Sequence, residues 1–508
     1  MTLEGKTVLV LGLGHSGLAM ARWCAREGAQ VRVWDSRAEP PQAAALAEHL
    51  PAATRLAATA LKAEDLSGID LVLKSPGLAP GDERIAVLLA AAATTMTPVQ
   101  SELDLFAAAL EKLRLESDYV PRVIAVTGTN GKTTTTALTA LLVERSGKRV
   151  AVAGNIGPTM LQTLADAIAT SPRESLRDAL PEVWVLELSS FQLAGSTRFE
   201  ADAAALLNLS EDHLDWHGSM AAYGEAKARV FGQRATVVVN RDDAATMRLV
   251  PAPESVPGKK GRPARIVPRR VVSFGAQSPE RPGDWGIAVE NGMAWLTRAR
   301  DDDVSPRDLT LQHLMPADAL RIRGRHNALN ALAALALASA IGCPLAKMLH
   351  ALREYRGEPH RVEFVATVDG VDAFDDSKGT NVGATVAALD GLGADRSPGK
   401  LAIILGGEGK GQDFAPLGPA LARHARVALT IGRDADAIER VVAAAGIAFE
   451  RCATLEAAVE AAFARAEPGD ALLLSPACAS FDMFRNYAHR ADVFVAAVRD
   501  IAARKGGA

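Results

Sequence analysis

Lys132 follows Gly128 and Gly131 and precedes the hydroxyls of Thr133 and Thr134, in the stretch "TGTNGKTTTTAL" at 127–138. Glycines let backbone N–H groups cradle phosphate oxygens, a lysine beside them neutralises the β/γ-phosphates, and a threonine hydroxyl is a hard ligand suited to Mg²⁺. The loop is short: in the G-x-x-x-x-G-K-[ST] spacing the first glycine would fall at Val126, and Gly128 arrives two residues late. Triphosphate binding by Gly128, Thr129, Asn130, Gly131, Lys132, Thr133 and Thr134 is the expectation.

Acids that could accompany a metal come next. Glu187 closes the apolar run "EVWVLE", and "ALLNLSEDHLDWHG" at 205–218 carries Asp212, His213, Asp215 and His217. The histidines leave a zinc reading open, but no cysteine accompanies them, and Mg²⁺ beside a triphosphate accounts for the acids more simply. Lys227, in the helical "AAYGEAKARVF", reads by residue type as a surface lysine.

Gly12-x-Gly14-x-x-Gly17, with Asp35 at the end of "VRVWD", could hold a diphosphate at a helix N-terminus and a ribose at the acid. Taken alone it suggests a nicotinamide-dependent oxidoreductase, any other diphosphate ligand, or merely a tight strand-to-helix turn. "KSPGL" at 74–78 could add a turn to the same crevice.

These residues need strands that end in glycine turns and helices that begin there. "TVLVLGLGHSG" at 7–17, "VIAVTGTNGKT" at 123–133 and "LAIILGGEGKG" at 401–411 each have that form. Short Val/Leu/Ile runs at 183–186, 236–239, 428–431 and 471–474 alternate with Ala-rich amphipathic stretches at 328–341 and 453–466, the alternation of an α/β protein. At 508 residues the chain exceeds a single core. Composition places domains at 1–98, 99–357 and 358–508. The Pro-, Gly- and base-rich 251–270 cannot build a core and reads as an exposed insertion.

Fifty-six Lys+Arg against 60 Asp+Glu give no basic field for nucleic acid. Four scattered cysteines without C-x-x-C spacing suit neither a disulfide framework nor a zinc site, and fit a reducing cytoplasm. The N-terminus reads as a first strand rather than a signal, and the apolar 328–342 is too short for a span of about 20 residues. No nucleic-acid or membrane partner is expected, and a monomer is the default.

Together these motifs resemble the Mur ligase family, which uses the short G-T-N-G-K-[ST] loop. The resemblance runs nearly the full length, through "GLGHSG", "SPG", "GNIG" at 154–157, "LELSSFQL", "DSKGTNVGAT" at 376–385, "LGGEGKGQDF" and "SPACASFDMF" at 475–484. It implies three domains: a Rossmann-like N-terminal domain for a UDP-substrate, a central P-loop-type ATPase domain with a mainly parallel sheet, and a Rossmann-like C-terminal domain. Within the family it points to an ATP-dependent ligase adding D-glutamate to UDP-N-acetylmuramoyl-L-alanine in cytoplasmic peptidoglycan precursor synthesis. No "SDNPR"-type stretch expected of the diaminopimelate- or lysine-adding relative is present.

By the same resemblance His15, Ser16, Asp35, Ser36, Arg37 and Ser75 match uridine-nucleotide positions, with Asn155 reaching in from the middle domain. Asn327, Asn330, Arg361, Asp376 and Lys378 match ATP positions beside the loop. Glu187 and His213 match metal and substrate positions, and Lys227 a lysine that becomes a carbamate beside Mg²⁺. Lys132, His213, Lys227 and Lys378 are the implied catalytic set, with Thr133 on the metal. Thr380, Lys410, Ser480, Phe481 and Tyr487 match the D-glutamate neighbourhood, though Tyr487 stands where phenylalanine is expected and Glu408 where aspartate is common. The insertions near 168–182, 251–270 and 299–318 have no counterpart in the family pattern.

Overall fold

The computed structural model describes residues 2–172, 175–256, 265–301, 309–396 and 398–506. Three α/β sheets follow one another along the chain. The first is all parallel, in the order Thr54–Leu56, Gln30–Trp34, Thr7–Leu11, Leu71–Lys74, Val99–Gln100. Its central strands are continuous apolar runs because helices cover both faces, and Val8 to Leu11 are wholly buried. The sheet ends at Gln100. Ser101 then caps the helix Glu102–Ser117 in a capping box with Asp104.

The second sheet has nine strands, in the order Leu309–Pro316, Met293–Asp301, Trp285–Glu290, Val271–Phe274, Thr236–Asn240, Ala203–Leu206, Arg122–Thr127, Val183–Glu187, Val150–Gly154. The first two are an antiparallel extension; the rest run parallel. The Ala-rich helix Arg325–Ala340 packs against Lys132–Arg145, and its small side chains let the backbones approach while both lie buried. The third sheet runs Glu363–Val368, Val371–Asp375, Ala471–Leu474, Leu401–Gly406, Ala425–Ile431, Ala448–Arg451, parallel except for its first hairpin.

The cores differ in how they join. One apolar cluster runs from Val8 and Leu73 through Phe106 to Val123 and Phe231, so the first two sheets share it. The third has clusters of its own, on its two faces. It meets the second through the polar and glycine contacts described below, an arrangement that suits relative motion.

The 251–270 stretch, expected as a plain exposed insertion, contains a two-stranded antiparallel ribbon, Glu254–Val256 with Arg265–Val267, while 257–264 lie outside the described residues. The 299–318 stretch falls largely in the antiparallel extension, with 302–308 outside the described residues. Part of 168–182 forms the short helix Leu176–Ala179, with 173–174 outside them. No helix among the described residues is long and apolar enough to cross a membrane.

Candidate active site

The strand Arg122–Thr127 lies inside the second sheet and delivers the phosphate loop at its C-terminal edge. Gly131 caps the helix Lys132–Arg145 at φ +82°, and a Cβ there would meet Asn330 Oδ1 at 2.5 Å, so only glycine fits. Asn330 in turn accepts from Thr135 Oγ1 at 3.3 Å and donates to Asn327 Oδ1 at 3.2 Å, which sets both asparagines behind the loop. Asn130 N donates to Asn208 Oδ1, and Thr129 Oγ1 lies 3.1 Å from the Tyr223 hydroxyl. Thr133 and Thr134 are buried in the first helical turn.

Lys132 Nζ donates to the carbonyls of Gly128 and Thr129 at 2.9 and 2.7 Å. Lys227 Nζ donates to Gly128 O at 2.7 Å. Lys227 is only 2% exposed, which corrects its reading as a surface lysine: the helix Met220–Ala228 turns that face inward. Burial pushes the Lys132 ammonium down, opposed by Glu187 and Asp212. Burial and then the Lys132 charge push Lys227 well below the ordinary lysine range.

Glu187 ends its strand, 2% exposed. Its Oε1 accepts from Asn155 Nδ2 at 2.8 Å, and its Oε2 is buried with no hydrogen-bond partner. An orphaned carboxylate oxygen beside Lys132 and Lys227 is a donor suited to a hard cation.

His213 adopts φ +53° at the start of the short helix Leu214–His217, edge-on to Phe191 at 4.7 Å between ring centroids. Its Nε2 stands 3.6 Å from Asp212. Burial lowers its pKa; Asp212 opposes this, and the charges of Lys410, Lys132 and Lys227 add to it. His217 pairs with Ser190 Oγ at 2.9 Å and stacks on Phe191. Among the described residues the compact ligand-type cluster is His360, Glu363 and Asp375, which does not include these histidines.

The third domain reaches over the loop. Arg361 Nη2 donates to Thr133 Oγ1 at 2.5 Å. Asn130 and Asn381 exchange amide hydrogen bonds at 3.2 and 3.1 Å, and Asn381 Nδ2 also reaches Asp212 at 3.4 Å. The Lys378 ammonium sits 3.8 Å above the Tyr487 ring. Burial lowers Lys378, with Arg361 adding and Glu187 opposing. Asp376 accepts from Ser475 Oγ at 2.6 Å, and burial raises its carboxyl to about 7. Thr380 N donates to Lys378 O, Lys410 is exposed at φ +52°, Ser480 is buried and Phe481 exposed. Asn381 and Ser475 received no role from sequence, although both lie inside quoted motifs; only their contacts single them out. A cavity of about 1000 Å³ at the hinge is lined by Asn327, Arg361, Arg323 and Phe374.

A separate group forms at the end of the first sheet. A Cβ on Gly17 would lie 1.8 Å from Gly12 O, so the helix His15–Arg26 packs this close only with glycine. Ser75 Oγ donates to Gly12 O at 3.0 Å. Burial alone would raise the Asp35 carboxyl, but Arg37 and the N–H groups of Leu13 and Arg37 hold it down at about 2. His15 is exposed, with Nδ1 3.4 Å from Gln42 Nε2, while Ser16 and Ser36 are half-buried. Asn155, from the middle domain, donates from Nδ2 to Glu187 Oε1 at 2.8 Å.

Known proteins resemble this chain in sequence and in fold. Residues 6–97 match the Mur ligase MurD-like N-terminal domain, 126–256 the Mur ligase middle domain and 360–478 the Mur ligase glutamate ligase domain. The UDP-N-acetylmuramoylalanine–D-glutamate ligase of Albidiferax ferrireducens is 55% identical over 100% of this chain and 98% of its own. That of Burkholderia mallei is 55% identical, covering 98% of each. Among solved structures, UDP-N-acetylmuramate-alanine ligase MurC of Thermotoga maritima superposes with TM-score 0.54 at 20% identity, over 97% of this chain and 99% of that one. MurF ligase of the same organism, in complex with ADP, gives 0.55 at 18%, over 98% and 96%. With all three domains matched in order and full-length relatives at this identity, the chain belongs to the Mur ligase family.

Proposed function

We propose that this chain is an ATP-dependent, ADP-forming ligase that joins D-glutamate to UDP-N-acetylmuramoyl-L-alanine in peptidoglycan precursor synthesis. The observation that carries the reading is the convergence of Lys132, Lys227 and the orphaned Glu187 oxygen at one strand edge, with Arg361 and Lys378 approaching from another domain. The full-length likeness to D-glutamate ligases supports the substrates.

Joining a carboxylate to an amine in water is uphill, so the carboxylate must be activated. The L-alanine carboxylate attacks the γ-phosphorus of ATP, giving an acyl phosphate and ADP. The uncharged D-glutamate amine then adds to the activated carbonyl, the C–O bond to the phosphoryl group breaks, and the proton lost by the nitrogen departs with the phosphate. Each step gathers negative charge at one point. Residues Gly128 to Thr134 with Lys132 cradle the phosphates, Lys378 and Arg361 neutralise the transferred group, and His213, kept neutral, contacts the reacting carboxyl. Asn327, Asn330 and Asp376 border the nucleoside, beside the hinge cavity. Thr380, Lys410, Ser480, Phe481 and Tyr487 hold D-glutamate; His15, Ser16, Asp35, Ser36, Arg37, Ser75 and Asn155 hold the UDP-sugar.

Glu187, Thr133, His213 and Lys227 as a carbamate are the residues that would hold Mg²⁺. When bound, Mg²⁺ neutralises phosphate oxygens. The fit rests on the partnerless Glu187 Oε2 and on the depressed Lys227, whose uncharged amine adds CO₂ with loss of a proton. Domains 1–98, 99–357 and 358–508, a monomeric state and a cytoplasmic location complete the proposal.

Phosphate release with ATP, Mg²⁺ and UDP-N-acetylmuramoyl-L-alanine tests it, comparing D-glutamate with L-glutamate, meso-diaminopimelate and no amino acid. Release with D-glutamate alone is expected. Release with another amino acid overturns the substrate, and none with any of them overturns the ligase.

A further inference from the structure

Lys74 closes the strand Leu71–Lys74 beside Ser75 and is 8% exposed. Its ammonium donates to Leu78 O at 2.6 Å and to Ser75 O at 3.5 Å. The Trp216 ring, from the middle domain, lies 5.8 Å away by its centroid. Among the described residues no carboxylate pairs with Lys74, and the Trp216 Nε1 is buried without a hydrogen-bond partner.

A buried ammonium held only by carbonyl dipoles and a ring face keeps much of its desolvation penalty. Burial brings Lys74 down to about 8. An anionic ligand would offset that penalty, and the setting suits one. Lys74 pairs with Leu11 in the sheet, Ser75 N bonds Leu11 O, and Ser75 Oγ bonds Gly12 O, so Lys74 stands at the crevice where the first glycine turn opens onto its helix.

We propose that Lys74 is a further substrate-binding residue, whose ammonium leaves the Leu78 carbonyl for the diphosphate of the UDP-sugar. Trp216 is the positioning residue: its ring face, in the other domain, holds the ammonium over the crevice. The inference rests on the reading of the first domain as the UDP-substrate site. It makes the substrate anion a tie between two domains, through a side chain to which no role was assigned above.

The test uses Lys74→Met, which keeps the aliphatic stem, and Lys74→Arg, which keeps the charge, in the full chain. Lys74→Met should weaken UDP binding and raise the KM for UDP-N-acetylmuramoyl-L-alanine roughly 10- to 100-fold, the worth of a hydrogen bond to a charged group. Uridine binding, kcat and the KM for ATP should hold, the melting temperature should not fall, and Lys74→Arg should recover most of the affinity. Trp216→Ala should raise the same KM in wild type and add nothing in Lys74→Met. Equal losses for UDP and uridine, a fall in kcat at constant KM, or additive Trp216 and Lys74 effects would overturn the proposal. A wild-type protein that neither bound UDP nor turned over the UDP-substrate would overturn the functional reading, and this inference with it.

Discussion

Lys132 and Lys227 donate to one acceptor, the Gly128 carbonyl, at 2.9 and 2.7 Å. They come from different helices, and burial is the leading cause that lowers each, so two like groups share one buried oxygen. The pairing is tolerable when one amine is neutral and better when it becomes an anion, the change that CO₂ addition at Lys227 makes.

Bicarbonate should therefore raise the melting temperature of the wild-type protein and leave Lys227→Met unmoved, while Lys227→Met loses about 10²–10³-fold in kcat, the scale of removing one charge-stabilising group. A small carboxylate supplied to Lys227→Ala should restore part of the rate. Equal thermal responses of wild type and variant to bicarbonate would remove the carbamate from the account.

Closure of the third domain is open to a steric test at Gly391, inside the helix Val382–Arg396. A Cβ there would lie 2.8 Å from the His326 ring and 3.2 Å from Gly324 Cα, across the interface. Gly391→Leu favours the helix by roughly 0.8–1 kcal/mol in propensity, so the domain folds but is wedged off its neighbour. The expected result is a kcat lower by about 10²-fold, the scale of a misplaced catalytic group, with near-wild-type melting. Small-angle scattering should change on adding all ligands to wild type and stay fixed in the variant. Wild-type profiles that match with and without ligands would count against domain motion.

His326, at the same interface, gives a pH signature. Burial lowers it from 6.5 to about 4, opposed by a hydrogen bond to the Ala387 backbone. The unfolded chain takes up this proton below pH 6.5 and the folded chain only near 4, so stability is complete above 6.5 and is lost as pH falls through that window, by roughly 3 kcal/mol at most. Thermal scans of wild type and His326→Asn should differ most at pH 7 and converge toward pH 4.5. A constant difference would place the titration elsewhere.

What was legible in the sequence follows from chemistry that depends on neighbours in the chain. The glycine turns at Gly12, Gly128 and Gly406 stand where strands end, because a buried parallel strand leaves an unbroken apolar run and its turn needs glycine. Lys227 could not be placed that way, since its burial depends on the Met220–Ala228 helix packing against distant segments. Asn381 was equally silent: its partners Asn130 and Asp212 are 251 and 169 residues away. The antiparallel extension at 293–316 was missed because half-buried strands carry little apolar signal.

Asp376 separates stability from function at one atom. Its buried carboxyl is raised from 3.8 to about 7, with Ser475 Oγ donating to it at 2.6 Å. The folded chain holds this proton up to about pH 7 and the unfolded chain only to about 4, so stability is full at low pH and declines as pH rises through that interval, by on the order of 4 kcal/mol. Asp376→Asn keeps an acceptor for Ser475 and removes the charge. The variant should match wild type near pH 4 and melt higher at pH 8, while its KM for ATP rises about tenfold if the carboxylate contacts the nucleotide. Stability gained at pH 8 with ATP kinetics unchanged would leave Asp376 a purely structural acid, and a variant less stable at both pH values would mean that the charged form is already matched by Arg361.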